Sequence, residues 1–380
     1  MTMIKNLLGE KVEKTVFISK EQVENKTERN IYGRYYKDTA IFNVFPPEKE
    51  KSGKLLGKFT SDRKGMENYQ LCGLFSDGGV EFYSYGHRIS YETYDLYQNI
   101  FSRNKGILET GIMSQKGAVI LGCGSVGSLV GMELARSGVG NFFLIDADIM
   151  EYHNICRHQC GIEDVGDLKI NALERKILNI NPKAHVVKFE GIVQNAPEKM
   201  LEDFCSGRDT VFVGCADNRA VDVYSNRIAS YFSASFISIG FWERAYAGEI
   251  FYHIPGRNMP CYSCALGDGG EMSGRVEANH HIYSNQENIE GVKFEPGISV
   301  DINFITCIGI KLILDILNEK EPGYIPRLLN HLKQYTLVCN TSDPDIAGEM
   351  VEIFSYPLQV TTSLRVGFGK QCDGKCKNEK

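Results

Sequence analysis

From Gly117 to Asp148 the chain passes from an unbroken apolar run, through closely spaced glycines and a stretch of helical periodicity, into a second apolar run. Ala118–Leu121 has no polar interruption, which predicts a strand buried on both faces. Residues 128–137 place apolar side chains at helical spacing and are followed by Gly138, a helix stop. Residues 141–145 predict the next strand, with Asp146 at its end. Residues 210–215 predict another buried strand, residues 299–319 an apolar-rich helix, and residues 334–339 and 351–356 late strands. Upstream, residues 14–19 and 39–45 predict short strands. Residues 78–90 alternate around a Gly-Gly turn, residues 46–58 are charged and contain proline, and residues 94–108 approach helical spacing. No internal repeat and no low-complexity tract is present.

Strand, glycine turn, helix and strand in that order predict an α/β fold: a Rossmann-like, doubly wound, mostly parallel sheet with helices on both faces. A small N-terminal accessory domain, α+β or β-rich and expected to serve partner or substrate recognition, precedes it over residues 1–93. The glycines have separate duties. Gly122 turns the chain, Gly124 lets the backbone approach a phosphate, and Gly127 lets the helix pack closely on the strand. The helix start offers N–H groups to an anion, and Asp146 is placed to bind a ribose hydroxyl.

Such a fingerprint most often marks a dinucleotide oxidoreductase, but the residues after Asp146 favour another ligand. Asp148, Asn154, Arg157 and Lys169 follow directly, and two cations with an amide suit a triphosphate better than a hydride-transfer pocket. Asp217, after the strand at 210–215, stands where ligands bind at the carboxyl ends of parallel strands. A carboxylate there is a natural Mg²⁺ ligand beside the phosphates of ATP.

At 380 residues and 43% hydrophobic, the chain can bury a large core. A net charge of −6 gives no general attraction to nucleic acid or to an anionic membrane. No apolar run approaches a membrane span, and residues 1–10 lack a signal-peptide core, so a cytoplasmic location is expected. Twelve cysteines in a chain of this size are read as reduced thiols. Cys261-x-x-Cys264 forms one metal knuckle. Cys372 and Cys376, with one residue more between them than in a CxxC pair, form a second that would complete a structural Cys₄ zinc site; free thiols in a tail are the alternative. Cys123, Cys215, Cys307 and Cys339 read as small buried hydrophobes, and Cys156 and Cys160 as packed or partly exposed thiols.

The order GxGxxG, DxD, NxxR, VGxxK and CxDN, followed by Cys261-Tyr262-Ser263-Cys264, resembles the ThiF/MoeB/ubiquitin-activating-enzyme-like adenylating superfamily, from about Tyr97 to Cys376. The resemblance implies an adenylation domain over residues 94–380 with a crossover loop at 265–296. It also implies ATP- and Mg²⁺-dependent adenylation of a C-terminal carboxylate on a ubiquitin-like protein, for transfer to a partner such as a conjugating enzyme. Arg103, in a segment similar to the family's arginine-bearing stretch, would reach the ATP of a second copy, which implies a homodimer. Many members pass the acyl group to their own cysteine after the first knuckle, and none lies between Cys264 and Cys307 here. Ser273 and Ser284 are the only small nucleophiles of that loop and read more simply as solvated residues. The alternative is therefore adenylation of a peptide, as in microcin maturation, without a thioester. A nicotinamide dehydrogenase and a non-catalytic scaffold complete the set of readings.

Overall fold

The computed structural model describes residues 13–76, 79–216, 218–266, 296–340 and 360–369. The chain divides into two compact units, Met1–Arg103 and Asn104–Lys380, a division that falls beyond the expected 93/94 boundary.

Strands β1 (Thr15–Ser19), β2 (Arg29–Tyr36), β3 (Ile41–Val44), β4 (Lys54–Thr60), β5 (Leu71–Ser76), β6 (Gly79–Ser84) and β7 (His87–Tyr94) build the N-terminal unit as a closed barrel, ordered β1-β3-β2-β4-β5-β6-β7. Alternate residues such as Val16, Ile18, Phe42, Val44, Phe59 and Phe82 fill its interior. That alternation is the period-two pattern of strands with one buried face. Two short helices accompany the strands, α1 (Lys20–Glu24) and α2 (Leu96–Ile100). The unit is thus β-rich, the second of the two expected forms. The charged segment at 46–58 proves to hold a 3₁₀ turn, Pro47–Ser52, leading into β4. Of the near-helical stretch at 94–108 only α2 is helical, started by Asp95, whose carboxylate accepts the Gln98 N–H.

The C-terminal unit opens with α3 (Thr110–Met113) and is organised by an eight-stranded sheet. In sequence its strands are β8 (Gly117–Leu121), β9 (Asn141–Asp146), β10 (His185–Glu190), β11 (Thr210–Gly214), β12 (Ser235–Phe241), β13 (Ala247–His253), β14 (Tyr335–Cys339) and β15 (Val360–Leu364). In space they run β10-β9-β8-β11-β12-β13-β14-β15. The first five in that order are parallel and the last three antiparallel. The late strand expected at 351–356 lies outside the described residues.

Strand alternation sends side chains to two cores. Ala118, Ile120, Phe142, Leu144, Val211 and Val213 face one side, covered by α4 (Ser125–Arg136), α5 (Lys169–Ile180) and α9 (Ser299–Asn318). Val119, Leu121, Phe143, Ile145, Phe212 and Phe236 face the other, covered by α6 (Glu198–Cys205), α7 (Arg219–Tyr231) and α8 (Tyr262–Leu266). Helix α4 starts three residues earlier than its apolar period indicates, because Gly124 serves as its N-cap and the glycine motif is already part of the helix. No helix among the described residues is long and apolar enough to cross a membrane.

The chain moves outward from β8 to β9 and β10, then returns to the other side of β8 with β11. The carboxyl ends of β8 and β11 therefore border the crevice where doubly wound sheets bind ligands. Phe212, fully buried at the centre of β11, tests the second core. Phe212→Ala is expected to lower unfolding stability by about 3–5 kcal/mol in urea titrations of the purified protein, as loss of a core ring does.

Candidate nucleotide crevice

The turn after β8 is built by contacts too tight for any side chain. Gly122 has φ +91°, a conformation that glycine adopts without strain. A Cβ on Gly127 would stand 1.9 Å from the Gly122 carbonyl oxygen, so only hydrogen there lets α4 settle against the end of β8. Gly124 differs: a Cβ there would meet nothing within 4 Å, so its backbone borders open space. Helix α4 has no side-chain cap, and its first intrahelical bond runs from the Ser128 N–H to the Gly124 carbonyl. Among the described residues no side chain takes up the N–H groups of its first turn, so they can receive an anion such as a nucleotide phosphate.

Cys123 is held from two directions. Its N–H donates to Asp146 Oδ2 at 2.6 Å, and its carbonyl accepts from His158 Nε2 at 2.7 Å. The donor is assigned by the other ring nitrogen: His158 Nδ1 accepts the Cys160 N–H at 3.0 Å, so the proton sits on Nε2. His158 is buried, and desolvation lowers its pKa to about 4, which keeps the ring neutral in this tautomer. Burial likewise pushes the Cys123 thiol far above its usual range, so it stays protonated and packs as an apolar group.

Asp146, at the end of β9, also accepts the Asp148 N–H through Oδ1 at 2.8 Å. Burial raises its pKa, against the opposing pull of Lys169. Each of its oxygens keeps acceptor capacity beyond these main-chain bonds, as a ribose hydroxyl requires. Lys169, the first residue of α5, is pinned twice to Asp148: its N–H to the carbonyl at 2.9 Å and its Nζ to Oδ2 at 2.7 Å. The structure thus brings Asp146, Asp148 and Lys169 together beside the glycine turn.

Asn154 has a local duty. Its Oδ1 accepts the Glu151 N–H at 3.0 Å and closes a capping box on the turn Tyr152–Asn154. Arg157 is half-buried, with Nη1 3.9 Å from the Cβ position of Gly297. Asp217 lies outside the described residues. Of the residues that flank it in sequence, Ala216 has its nitrogen 3.2 Å from the Gly122 Cβ position, and Asn218 caps α7 by accepting the Ala220 and Val221 N–H groups. Arg103 is exposed at the end of the N-terminal unit and is described there alone.

The first cysteine knuckle is a compact turn. The Cys264 N–H donates to the Cys261 carbonyl at 2.9 Å, and the two sulfurs are 3.7 Å apart. Thiolates at about 2.3 Å from one tetrahedral zinc are separated by about 3.8 Å, so this pair fits half of such a site. Buried polar side chains fix the turn: Asn226 Oδ1 accepts the Tyr262 N–H at 2.8 Å, and Gln334 Nε2 donates to the Pro260 carbonyl at 2.6 Å. His253, with its pKa lowered to about 4 by burial, packs against Asn226 Nδ2 at 3.2 Å. Cys372 and Cys376 lie outside the described residues, and among the described residues no group of three or more His, Cys, Asp or Glu is arranged to hold a metal. The crossover loop, with Ser273 and Ser284, also falls outside them apart from its two ends.

The ThiF family pattern matches residues 109–344, more than half of the chain. The chain belongs to the ThiF family. Ubiquitin-like modifier-activating enzyme 5 of Mus musculus is 29% identical over 187 residues, 45% of this chain and 45% of that protein. The Caenorhabditis elegans enzyme of the same description is 25% identical over 193 residues, 47% of this chain and 45% of that protein. The chain therefore spans less than half the length of these curated relatives. Among solved structures, E. coli MccB with ATP has a TM-score of 0.47 at 20% identity, covering 70% of this chain and 68% of that one. PaaA has a TM-score of 0.46 at 17% identity, covering 64% of this chain and 76% of that one.

Sequence reasoning missed His158, whose neighbours in the NxxR segment were read while the ring itself was not. Its one signal was its place directly after Arg157, at the end of the NxxR segment. In this ThiF-family chain the folded ring binds protons more weakly than the unfolded one, whose usual value is 6.5. Stability is therefore complete above about pH 6.5 and declines as pH falls toward 4, by roughly 3 kcal/mol at the lower limit for this one group. Chemical denaturation across that pH range checks it: His158→Gln is expected to flatten the slope, leaving the share that His253 contributes in the same direction.

Proposed function

We propose that this chain is an ATP- and Mg²⁺-dependent adenylating enzyme acting on the C-terminal carboxylate of a ubiquitin-like protein. The observation that carries the reading is the clamped Cys123 turn, with open backbone at Gly124 and with Asp146 and the Asp148–Lys169 pair beside it. A ribose hydroxyl fits Asp146, and the phosphates fit the α4 N-terminus. Lys169 releases part of its hold on Asp148 to meet a phosphate oxygen. Arg157 adds positive charge, and Asn154 braces the turn that carries it. A carboxylate oxygen then attacks the α-phosphorus as the bond to the bridging oxygen breaks, and pyrophosphate leaves with that electron pair.

Asp217 is assigned to Mg²⁺, which offsets charge on the departing pyrophosphate. Arg103 is assigned to the nucleotide of a second copy, so the working form is a homodimer. Cys261 and Cys264 are assigned to a structural zinc with Cys372 and Cys376. The closeness of Gly369, whose Cβ position is 3.4 Å from Cys264 Cα, supports that pairing by bringing the C-terminal chain to the knuckle. The acceptor is a conjugating enzyme or another partner nucleophile. A second reading, adenylation of a peptide without a thioester, is favoured by the thiol-free stretch from Ala265 to Thr306.

Calorimetric titration tests the crevice. Mg-ATP is expected to bind and NADH not to, with Lys169→Ala raising the Kd about tenfold or more, the loss of one charge-assisted contact. Asp217→Ala is expected to abolish the magnesium dependence of ATP binding and to stop ATP–pyrophosphate exchange while leaving the fold intact. Binding of NADH in place of ATP would overturn the reading. Mass spectrometry after incubation with Mg-ATP and candidate small proteins or peptides then separates the two substrates by which one acquires AMP.

A further inference from the structure

The cysteine knuckle sets two sulfurs against each other in an asymmetric turn. Cys261 is half-buried, Cys264 is only 6% exposed, and their sulfurs are 3.7 Å apart. The backbone that carries them is anchored from several elements. Tyr262, between the two cysteines, is fully buried, with its ring edge-on to Phe236 of β12 at 6.0 Å and to Phe251 of β13 at 5.1 Å. Asn226 of α7 holds the Tyr262 N–H, and Gln334, next to β14, holds the Pro260 carbonyl. The Cys264 N–H closes the turn on the Cys261 carbonyl. Any change in the sulfur separation therefore falls to the side-chain torsions.

That separation serves two chemistries on one backbone. It matches thiolates on a tetrahedral metal, as described above. It also lies within reach of a disulfide: a bond of about 2.05 Å requires the sulfurs to close by roughly 1.7 Å, which rotation about the two Cα–Cβ bonds supplies. A CxxC turn with one accessible and one sheltered sulfur is the arrangement of dithiols that exchange with disulfides. Other thiols of the chain are unsuited to it. Burial pushes those of Cys160 and Cys205 up to about 12, so they stay protonated and inert.

We infer that Cys261 and Cys264 form a reversible disulfide by exchange with a small disulfide of the glutathione type, a state that excludes the zinc ion assigned to the same turn. The exclusion rests on the zinc reading above; the bridge itself does not. Cys261, the more accessible, attacks one sulfur of glutathione disulfide, and the glutathione S–S bond breaks as one glutathione thiolate leaves with the electron pair. Cys264 then attacks the Cys261 sulfur of the mixed disulfide and expels the second glutathione thiolate. Two protein thiols are oxidised, one glutathione disulfide is reduced to two thiols, and the two protein protons end on those thiols. Metal binding needs thiolates, so the bridge takes two ligands from the zinc at once. The bridge closes a loop of only four residues and adds little constraint of its own. What the oxidised state gives up is the metal tie to Cys372 and Cys376.

The full chain, as isolated, is equilibrated in buffers of rising glutathione disulfide content after its zinc content has been measured. Peptide mass mapping reads the bridge, and a chromogenic chelator reads released zinc. The peptide spanning Cys261 and Cys264 is expected to lose two hydrogen atoms and to regain them with dithiothreitol, and zinc is expected to appear in step with the loss. In Cys261→Ser the remaining Cys264 is expected to take up glutathione at least tenfold more slowly than wild-type Cys261 reacts, because it is the sheltered sulfur. Absence of the bridge at every ratio, or bridging of Cys261 to a different cysteine, would overturn the inference. A bridge that forms while zinc stays bound would overturn the exclusion. A chain isolated without zinc would sink the zinc reading and the exclusion with it, and the peptide mass would still decide the bridge.

Discussion

The crevice depends on a steric constraint: α4 must approach β8 so closely that Gly127 meets the carbonyl of Gly122, and no β-carbon can stand between them. That contact fixes where the first turn of the helix points. The turn between, centred on Cys123, is then held from above and below by Asp146 and His158, which come from different segments. The backbone at Gly124 is consequently both rigid and uncovered. Preorganised main-chain donors facing open space need no rearrangement to receive charge, and this is what makes a helix start an effective anion site.

Electrostatics around the turn follow from the same packing. Burial keeps His158 neutral and the Cys123 thiol protonated, so neither competes with the carboxylates and Lys169 for an incoming ligand. Lys169 is tied to Asp148 at the crevice edge, and that carboxylate is half-exposed. The same device recurs at the cysteine knuckle. There Asn226, Gln334 and neutral His253 hold a turn whose sulfurs already stand at the separation that a tetrahedral metal imposes. In both places buried polar side chains satisfy main-chain groups and thereby set a geometry, at the cost of stability in acid.

The N-terminal unit solves a different problem. A barrel abolishes exposed strand edges by closing on itself, and here closure is achieved through the pairing of β7 with β1. The tight Tyr85-Gly86 turn, with both residues at positive φ, fixes the register of the β6–β7 pair, and β7 continues alongside β1.

Much of the central sheet was legible in the sequence because its strands are buried on both faces and read as unbroken apolar runs; β8, β9 and β11 fall within a residue of the expected bounds. The glycine motif was legible because left-handed turns and backbone contacts exclude side chains outright, a rule that acts locally. That Asp146, Asp148 and Lys169 lie near one another was legible for a related reason: they sit at strand and helix ends whose positions the pattern already sets. Beyond that reach lay everything made by residues distant in sequence. His158 clamps Cys123 across a gap that no periodicity encodes, and Asn154 proved to be engaged in a cap. The charged, proline-bearing segment hid β4, because a strand in a small barrel is defined by its neighbours more than by its own composition. Local sterics and burial patterns wrote the glycine turn into the sequence. The clamp around it, the anchored knuckle and the closure of the barrel were decided by tertiary pairing, since hydrogen bonds between distant segments exist only once the chain has closed upon itself.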